Sequence, residues 1–456
     1  MRRLAVLLIR SPERRWLLRA LMFLGFIHAA AYALMVPPWQ APDEPGHFEH
    51  SYLLSTQWRH PLSVQPDPAL EAELIASLYA NRYWDYVPHA RPADMPLRLG
   101  QLGTFAGSSR TLGRPSLSYV PYALALVPFR HQDIDAQLRL LRLLSAAYVP
   151  LVVWLAWRSA ALLFPGAAAL PAVAAAFVAL LPQHAATMGS VSDGNLAELL
   201  ASLFFYAVAR TARMGMTWRR GLAIGLTAFL SLLCKDTALF LLPTALVGFA
   251  VLGLRRRLPW WELATAGLSV GLLTVAGARF GPRINHLQQL RNTWSALFQA
   301  GSYSPERLAD YWDTAVTAFE SFWARFGWLT VRMATPVYQA LLALSLLLCV
   351  GLVMAATSRR WPADGATRRG LATYVLALAF AVAFVAGASV VYYSPYVSVA
   401  AQWRYLFPAL LPMSVLAAIG ARAWARLHRA APLAVVAMLG ALAVYALAGV
   451  AAPAFH

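Results

Sequence analysis

Asp43 and Glu44 stand side by side in Pro42-Asp43-Glu44-Pro45-Gly46-His47-Phe48, directly after the first long apolar run of a 456-residue chain. Adjacent carboxylates with an imidazole nearby can take a proton from a hydroxyl, which is general-base chemistry. Three more polar groups interrupt the apolar sequence: Ser190-Val191-Ser192-Asp193-Gly194-Asn195, Lys235-Asp236 and Gln402-Trp403-Arg404-Tyr405. Lys235 is the only lysine, although lysine and arginine together number 38. Ammonium and guanidinium groups bind phosphate through charge-assisted hydrogen bonds. Each group also has a plainer role open to it. Asp43-Glu44 suits a solvated turn rich in Pro and Gly, and Ser192 with Asp193 suits a helix N-cap. Lys235 can pair with Asp236 or reach the interface, and Arg404 can anchor a surface. Asp133-Ile134-Asp135 offers oxygen donors to a cation but reads as an exposed turn before a span. Nothing in the sequence requires a metal or a cofactor.

The elements that must position these groups are set by composition. Hydrophobic residues make up 59% of the chain and charged residues 13%, with a mean hydropathy of +0.54. A soluble protein carries about a quarter charged residues. The apolar residues fall into runs of about 18 to 23, the length that crosses a bilayer as helix. The expected fold is therefore an all-α polytopic bundle, one transmembrane domain over 1–456. About eleven spans are predicted, at roughly 16–36, 139–161, 167–184, 195–212, 220–235, 237–253, 260–279, 337–357, 370–391, 403–421 and 432–452. A further apolar run, Leu117 to Phe129, is short and contains Pro121 and Pro128, so it reads as a surface or re-entrant helix, with a tilted crossing, which would be a twelfth span, as the alternative. The first span ends in Ala31-Tyr32-Ala33, and its length favours a retained signal anchor over a cleaved leader.

The formal net charge of +18 comes from arginines clustered between apolar runs, such as Arg210, Arg213, Arg219 and Arg220, or Arg422, Arg426 and Arg429. Short basic loops of this kind lie in the cytoplasm. That places the N-terminus inside and all four polar groups outside. No folded basic domain is present to bind nucleic acid. Cys234 and Cys349 lie in or at the end of apolar runs, outside any metal-binding or disulfide pattern. Two long outer loops remain, about 37–137 and 280–336, with short helices expected at 69–82, 284–300 and 305–325. Loops of such length in a compact domain are usually functional. The last helix carries Tyr311, Phe319, Phe322 and Trp323, with Trp328 just beyond, and such aromatics suit the lipid headgroup level. No internal repeat is visible, which weighs against an inverted-repeat transporter.

Carboxylates, one ammonium and one guanidinium on an outer face suit transfer of a sugar from a lipid-linked phosphate. The carboxylate takes the acceptor proton, and the cations neutralise the departing phosphate. Neither GxGxxG nor GxxxxGK[ST] is present to bind a nucleotide. On this reading Asp43 and Glu44 are the catalytic pair, with His47, Ser192 and Asp193 in support. Lys235, Arg404 and Tyr405 bind the donor phosphate.

Several segments then carry a family resemblance: Ala41-Pro42-Asp43-Glu44-Pro45-Gly46-His47-Phe48, Tyr119-Val120-Pro121, Leu138-Arg139-Leu140-Leu141-Arg142-Leu143-Leu144-Ser145, Ser192-Asp193-Gly194, Ser321-Phe322-Trp323-Ala324-Arg325-Phe326-Gly327-Trp328 and Trp403-Arg404-Tyr405-Leu406-Phe407-Pro408. In this order they resemble a family of bacterial multi-pass proteins catalogued as domain of unknown function 2142, over about residues 17 to 450. That family is similar in turn to the GT-C membrane glycosyltransferases, including protein O-mannosyltransferases and the aminoarabinose transferases of lipid A. The resemblance implies a bundle of about 11 to 13 spans, a polyprenyl-phosphate sugar donor and an acidic catalytic residue in the first outer loop, here Asp43. The acceptor would be a glycan, lipid or protein, and the location the bacterial cytoplasmic membrane with the site facing outward. Pro45-Gly46 separates Glu44 from His47 where the mannosyltransferases have a single residue, so whether Asp43 or Glu44 faces the acceptor stays open. A transporter or flippase, or a non-catalytic part of an envelope polysaccharide assembly system, is the alternative.

Overall fold

In the computed structural model the first apolar run forms helix α1 (Pro12–Met35), and the carboxylate pair that follows opens a helix of its own, α2 (Glu44–Gln57). The structure describes residues 12–58, 64–87, 90–102, 117–167, 169–253, 305–358, 364–392 and 402–456, with Gly267 and Gly271. Apart from those two glycines, the expected span at 260–279 and helix at 284–300 lie outside them.

The first long loop, over its described residues, is built rather than open. Besides α2 it holds α3 (Pro68–Ala80) and α4 (Tyr119–Leu126). Asp67 starts α3 by accepting the Ala69 N–H at 2.9 Å, with Pro68 in the first turn where its missing N–H costs nothing. Leu53, Leu74, Ile75, Leu78, Tyr119 and Leu138 close a small hydrophobic core beneath these helices. Trp39 plugs it from the loop, donating its indole N–H to Ser77 Oγ at 2.7 Å.

The bundle continues with α5 (Ile134–Ala146) and α6 (Val149–Leu163), which together make one apolar stretch of 30 residues. Asp133 caps α5 by accepting the Asp135 N–H, while Asp135 takes Ser77 and Asn81 side chains at 2.5 and 2.9 Å. The Asp-x-Asp pair is thereby spent on a cap and on α3. Next come α7 (Ala169–Leu180) and α8 (Pro182–Met188), bent by 59° at Leu181-Pro182. Pro182 removes a helical N–H and crowds the preceding turn, so a bend there is expected. Then follow α9 (Asp193–Met214), α10 (Trp218–Cys234), α11 (Leu241–Gly253), α12 (Pro305–Trp323), α13 (Thr335–Thr357), α14 (Gly365–Tyr392), α15 (Leu410–Trp424) and α16 (Ala431–Val444). Two-residue strands β1 (Arg325–Phe326) and β2 (Val331–Arg332) pair antiparallel after α12.

Six helical stretches among the described residues are long and apolar enough to cross a membrane, and the bent α7–α8 pair would be a seventh. Fewer spans therefore meet that standard than the eleven expected. At 17 and 13 residues, α10 and α11 reach only about 26 and 20 Å against a core of about 30 Å. Their neighbour α9 carries Glu198, Arg210 and Arg213.

On α13, Leu342, Leu346, Val350 and Val353 are exposed, while Leu341, Leu344, Leu348 and Gly351 are buried. An exposed apolar stripe of this kind faces lipid. Gly351 meets Gly420 of α15 so closely that a Cβ there would lie 2.3 Å from the Gly420 carbonyl oxygen. Backbone-to-backbone contact through small residues is how helices associate in membranes.

Candidate functional site

The two adjacent carboxylates have different surroundings. Glu44 begins α2 with 0% exposure and faces Arg142 of α5, also buried. Arg142 donates from Nε to Glu44 Oε1 at 2.9 Å and from Nη2 to Oε2 at 2.6 Å. Its remaining N–H groups go to the carbonyls of Ala33, Val36 and Pro37 at 3.3, 2.6 and 2.9 Å. The Val191 N–H completes the carboxylate at 3.0 Å from Oε1. A buried ion pair is tolerated only when its spare donors and acceptors are filled in this way. This one ties the end of α1, the start of α2, α5 and the lead-in to α9 to a single point.

Asp43 has no such cage. Its backbone is left-handed (φ 65°), a conformation that Asp tolerates better than most residues. The side chain makes no cap to the helix it precedes, is 37% exposed, and lies 3.5 Å from Arg404 Nη2. The backbone turn therefore points the two neighbouring carboxylates apart, one into the protein and one to its surface.

His47 stands one turn along α2, its N–H donated to the Asp43 carbonyl at 3.1 Å. Its Nδ1 shares a hydrogen bond with the Tyr119 hydroxyl at 2.8 Å, and Nε2 lies 3.9 Å from Asp193 Oδ1. Burial holds this imidazole below its ordinary range, against the opposing pull of Asp193 and Asp43.

The other groups arrive from three directions. Ser192 caps α9 by accepting the Gly194 N–H at 3.1 Å. Asp193, in the first turn of α9, is ion-paired with Lys235, which sits where α10 ends in extended backbone. The Lys235 ammonium is 5.9 Å from the centre of the Tyr405 ring, and the Arg404 guanidinium is 5.8 Å from it. Both distances allow a cation–π contact. Arg404 and Tyr405 ride on a 3-10 turn (Trp403–Ala409) that leads into α15. Asp43, His47, Asp193, Lys235, Arg404 and Tyr405 thus form one patch of alternating charge, drawn from positions up to 362 residues apart in sequence.

The aromatics of the second long loop lie elsewhere than expected. Phe322, Trp323 and Trp328 are all buried. Phe322 packs edge-on to Phe407 at 6.0 Å and Trp323 to Phe177 at 6.2 Å. Trp328 donates to the Trp39 carbonyl at 3.3 Å and stands edge-on to Tyr83. Rings this large bury more area against one another than a headgroup offers, so they serve as struts. Trp312, three turns earlier on α12, is 71% exposed and so remains available to lipid.

Two residues escaped the sequence reading. Arg142 lies inside an apolar run, where an arginine requires a partner, and that was its signal. Glu198 of α9 lies 2.8 Å from His184 Nε2 of α8, both buried, about 7.5 Å along the helix from Asp193. A carboxylate within a membrane-level helix is the same kind of signal.

The sequence matches the family model described as "Predicted membrane protein (DUF2142)" over residues 26–413. No curated protein matches it. The fold is similar to that of the Archaeoglobus fulgidus oligosaccharyltransferase in its apo form, with a TM-score of 0.50 and 12% identity over 98% of this chain and 56% of that one. The chain thus spans little more than half the length of that protein, and at such identity the likeness is one of fold.

Proposed function

This chain belongs to the DUF2142 family of predicted membrane proteins, and from that premise we propose that it is a GT-C-type membrane glycosyltransferase. It transfers a sugar from a polyprenyl-phosphate donor to an envelope glycan or lipid acceptor on the outer face of the cytoplasmic membrane. The observation that carries the reading is the exposed Asp43 carboxylate 3.5 Å from Arg404, in one patch with Lys235.

Asp43 takes the proton of the acceptor hydroxyl as its oxygen attacks the anomeric carbon. The bond from that carbon to the phosphate oxygen breaks, a glycosidic bond forms, and polyprenyl phosphate leaves with the bonding pair. Arg404 and Lys235 face the charge that builds on the leaving phosphate, where charge-assisted contacts act most strongly. Asp193 holds Lys235 in place, and Tyr405 lies under both cations. Glu44 acts through position: clamped by Arg142, it fixes the turn that turns Asp43 outward.

The orientation rests on α9, which carries Asp193 at one end and Arg210 and Arg213 at the other. Arg213 pairs there with Asp364 at 2.8 Å. Its 22 residues extend about 33 Å, the thickness of a membrane core. The basic end belongs inside, so the patch belongs outside.

The test is release of polyprenyl phosphate by purified protein in nanodiscs, supplied in turn with decaprenyl-phosphate-linked mannose, glucose, galactose and arabinose and a crude envelope acceptor. Turnover with at least one donor, lost in Asp43→Asn, is expected. Equal turnover in wild type and Asp43→Asn would overturn the mechanism.

A further inference from the structure

Beside Asp43 lies a cleft lined by Gln40, Gln183, Thr187, Ser190, Gly327 and Arg404. Arg142 also borders it, but its donors are occupied by Glu44 and by backbone carbonyls. The remaining polar lining is neutral except for Arg404, which also reaches Asp43. The Tyr32 hydroxyl is also buried here without a partner among the described residues, but Gln40 leaves both a donor and an acceptor unpaired. Gln40 has 0% exposure, and among the described residues neither its Nε2 nor its Oε1 has a hydrogen-bond partner. Gln183 differs, since its Oε1 accepts the Arg325 N–H at 2.7 Å.

A buried amide without partners is costly, and native proteins keep few of them. Such a cost persists where a ligand removes it. A primary amide donates and accepts side by side, which matches two neighbouring hydroxyl groups on one ring. A lipid tail in the same place would leave both amide atoms unpaired. A second phosphate would leave the carbonyl oxygen facing an anion.

We propose that Gln40 is a specificity-determining residue that hydrogen-bonds vicinal hydroxyls of the donor's glycosyl group, while Arg404 holds the phosphate to which that group is attached. This rests on the glycosyltransferase reading and adds to it the place where the sugar is recognised. A site built to pair a hydroxyl rejects analogues that lack it far better than an apolar pocket does.

Binding to the purified full-length protein in nanodiscs tests this, with decaprenyl phosphate and its mannose, glucose, galactose and arabinose conjugates as probes. Wild type should prefer at least one conjugate to bare decaprenyl phosphate. Gln40→Met keeps the length of the side chain and removes the amide. It should lower that preference about tenfold and leave binding of bare decaprenyl phosphate unchanged. The ligand-free variant should melt no lower than wild type, because an apolar side chain removes the unpaired group. Gln40→Asn, with the amide withdrawn, should also lose preference. Undiminished preference in both variants would overturn the assignment of Gln40 and leave the glycosyltransferase reading intact. A melting temperature that falls in Gln40→Met would mark Gln40 as structural and overturn it too. If wild type shows neither preference nor turnover, the glycosyltransferase reading itself fails.

Discussion

Arg142 holds Glu44 at both carboxylate oxygens, 2.9 and 2.6 Å away, and the adjacent Asp43 is left facing outward toward Arg404. One peptide bond separates a clamped acid from an available one. The proposed chemistry depends on that division.

The two acids should therefore fail differently. Asp43→Asn removes a base that typically supplies about 10² to 10⁴ in rate, so turnover should fall by that order with the melting temperature unchanged. Glu44→Gln strips a buried arginine of its counter-charge, which costs about 3 to 5 kcal/mol, so the melting temperature should drop. Thermal unfolding and turnover on the same preparations check both. A stable Glu44→Gln protein would refute the clamp.

Arg404→Ala and Lys235→Ala each remove one charge-assisted contact to phosphate, worth about 1.5 to 3 kcal/mol. Each should weaken binding of decaprenyl phosphate by roughly one to two decades. Lys235→Arg keeps the charge and should recover part of the loss. Titration of both variants with the bare lipid phosphate, at unchanged affinity, would return these residues to packing roles.

The protonation of His47 links stability to pH. Burial lowers its value from the ordinary 6.5, so the folded protein binds fewer protons than the unfolded chain in acid. The contribution of neutral His47 is then fully present above pH 6.5 and is lost as pH falls below it. Melting temperature measured from pH 8 to pH 5 should decline more steeply in wild type than in His47→Gln. Parallel curves would show that His47 titrates freely.

Gly351 and Gly420 tolerate no side chain where α13 crosses α15. A Cβ at Gly420 would lie 2.3 Å from the Leu348 carbonyl oxygen. Gly351→Ala and Gly420→Ala should each destabilise by about 1 to 3 kcal/mol through overpacking. Because the helices must separate as a unit, the double variant should cost less than the sum. Detergent-resistance and melting assays read this directly.

Membrane topology is open to labelling. In a cysteine-free background, Arg429→Cys should react with an impermeant maleimide only after the cytoplasmic face is opened. Asp313→Cys, at an exposed position of α12, should react in intact cells. The reverse pattern would place the Asp43 patch on the wrong side for a lipid-linked donor.

Hydropathy and the arginine pattern determined a helical multi-pass bundle, because each helix is written in residues that are neighbours in the chain. The short helices at 69–82 and 305–325 were legible for the same reason, and appear at Pro68–Ala80 and Pro305–Trp323. The polar groups around Asp43, Asp193, Lys235 and Arg404 were readable as interruptions of apolar runs, and they do meet in one patch. Their pairing was not readable. Lys235 takes Asp193, 42 residues away, a partner that no local rule would suggest. Glu44 takes Arg142 at a separation of 98 residues. Phe322, Trp323 and Trp328 turned inward because rings from α7, from the 3-10 turn before α15 and from the first long loop were there to receive them. Which acid is exposed, which aromatics are buried and where Gln40 is left unpaired depend on contacts between distant segments. Packing creates those contacts, and no stretch of sequence contains them.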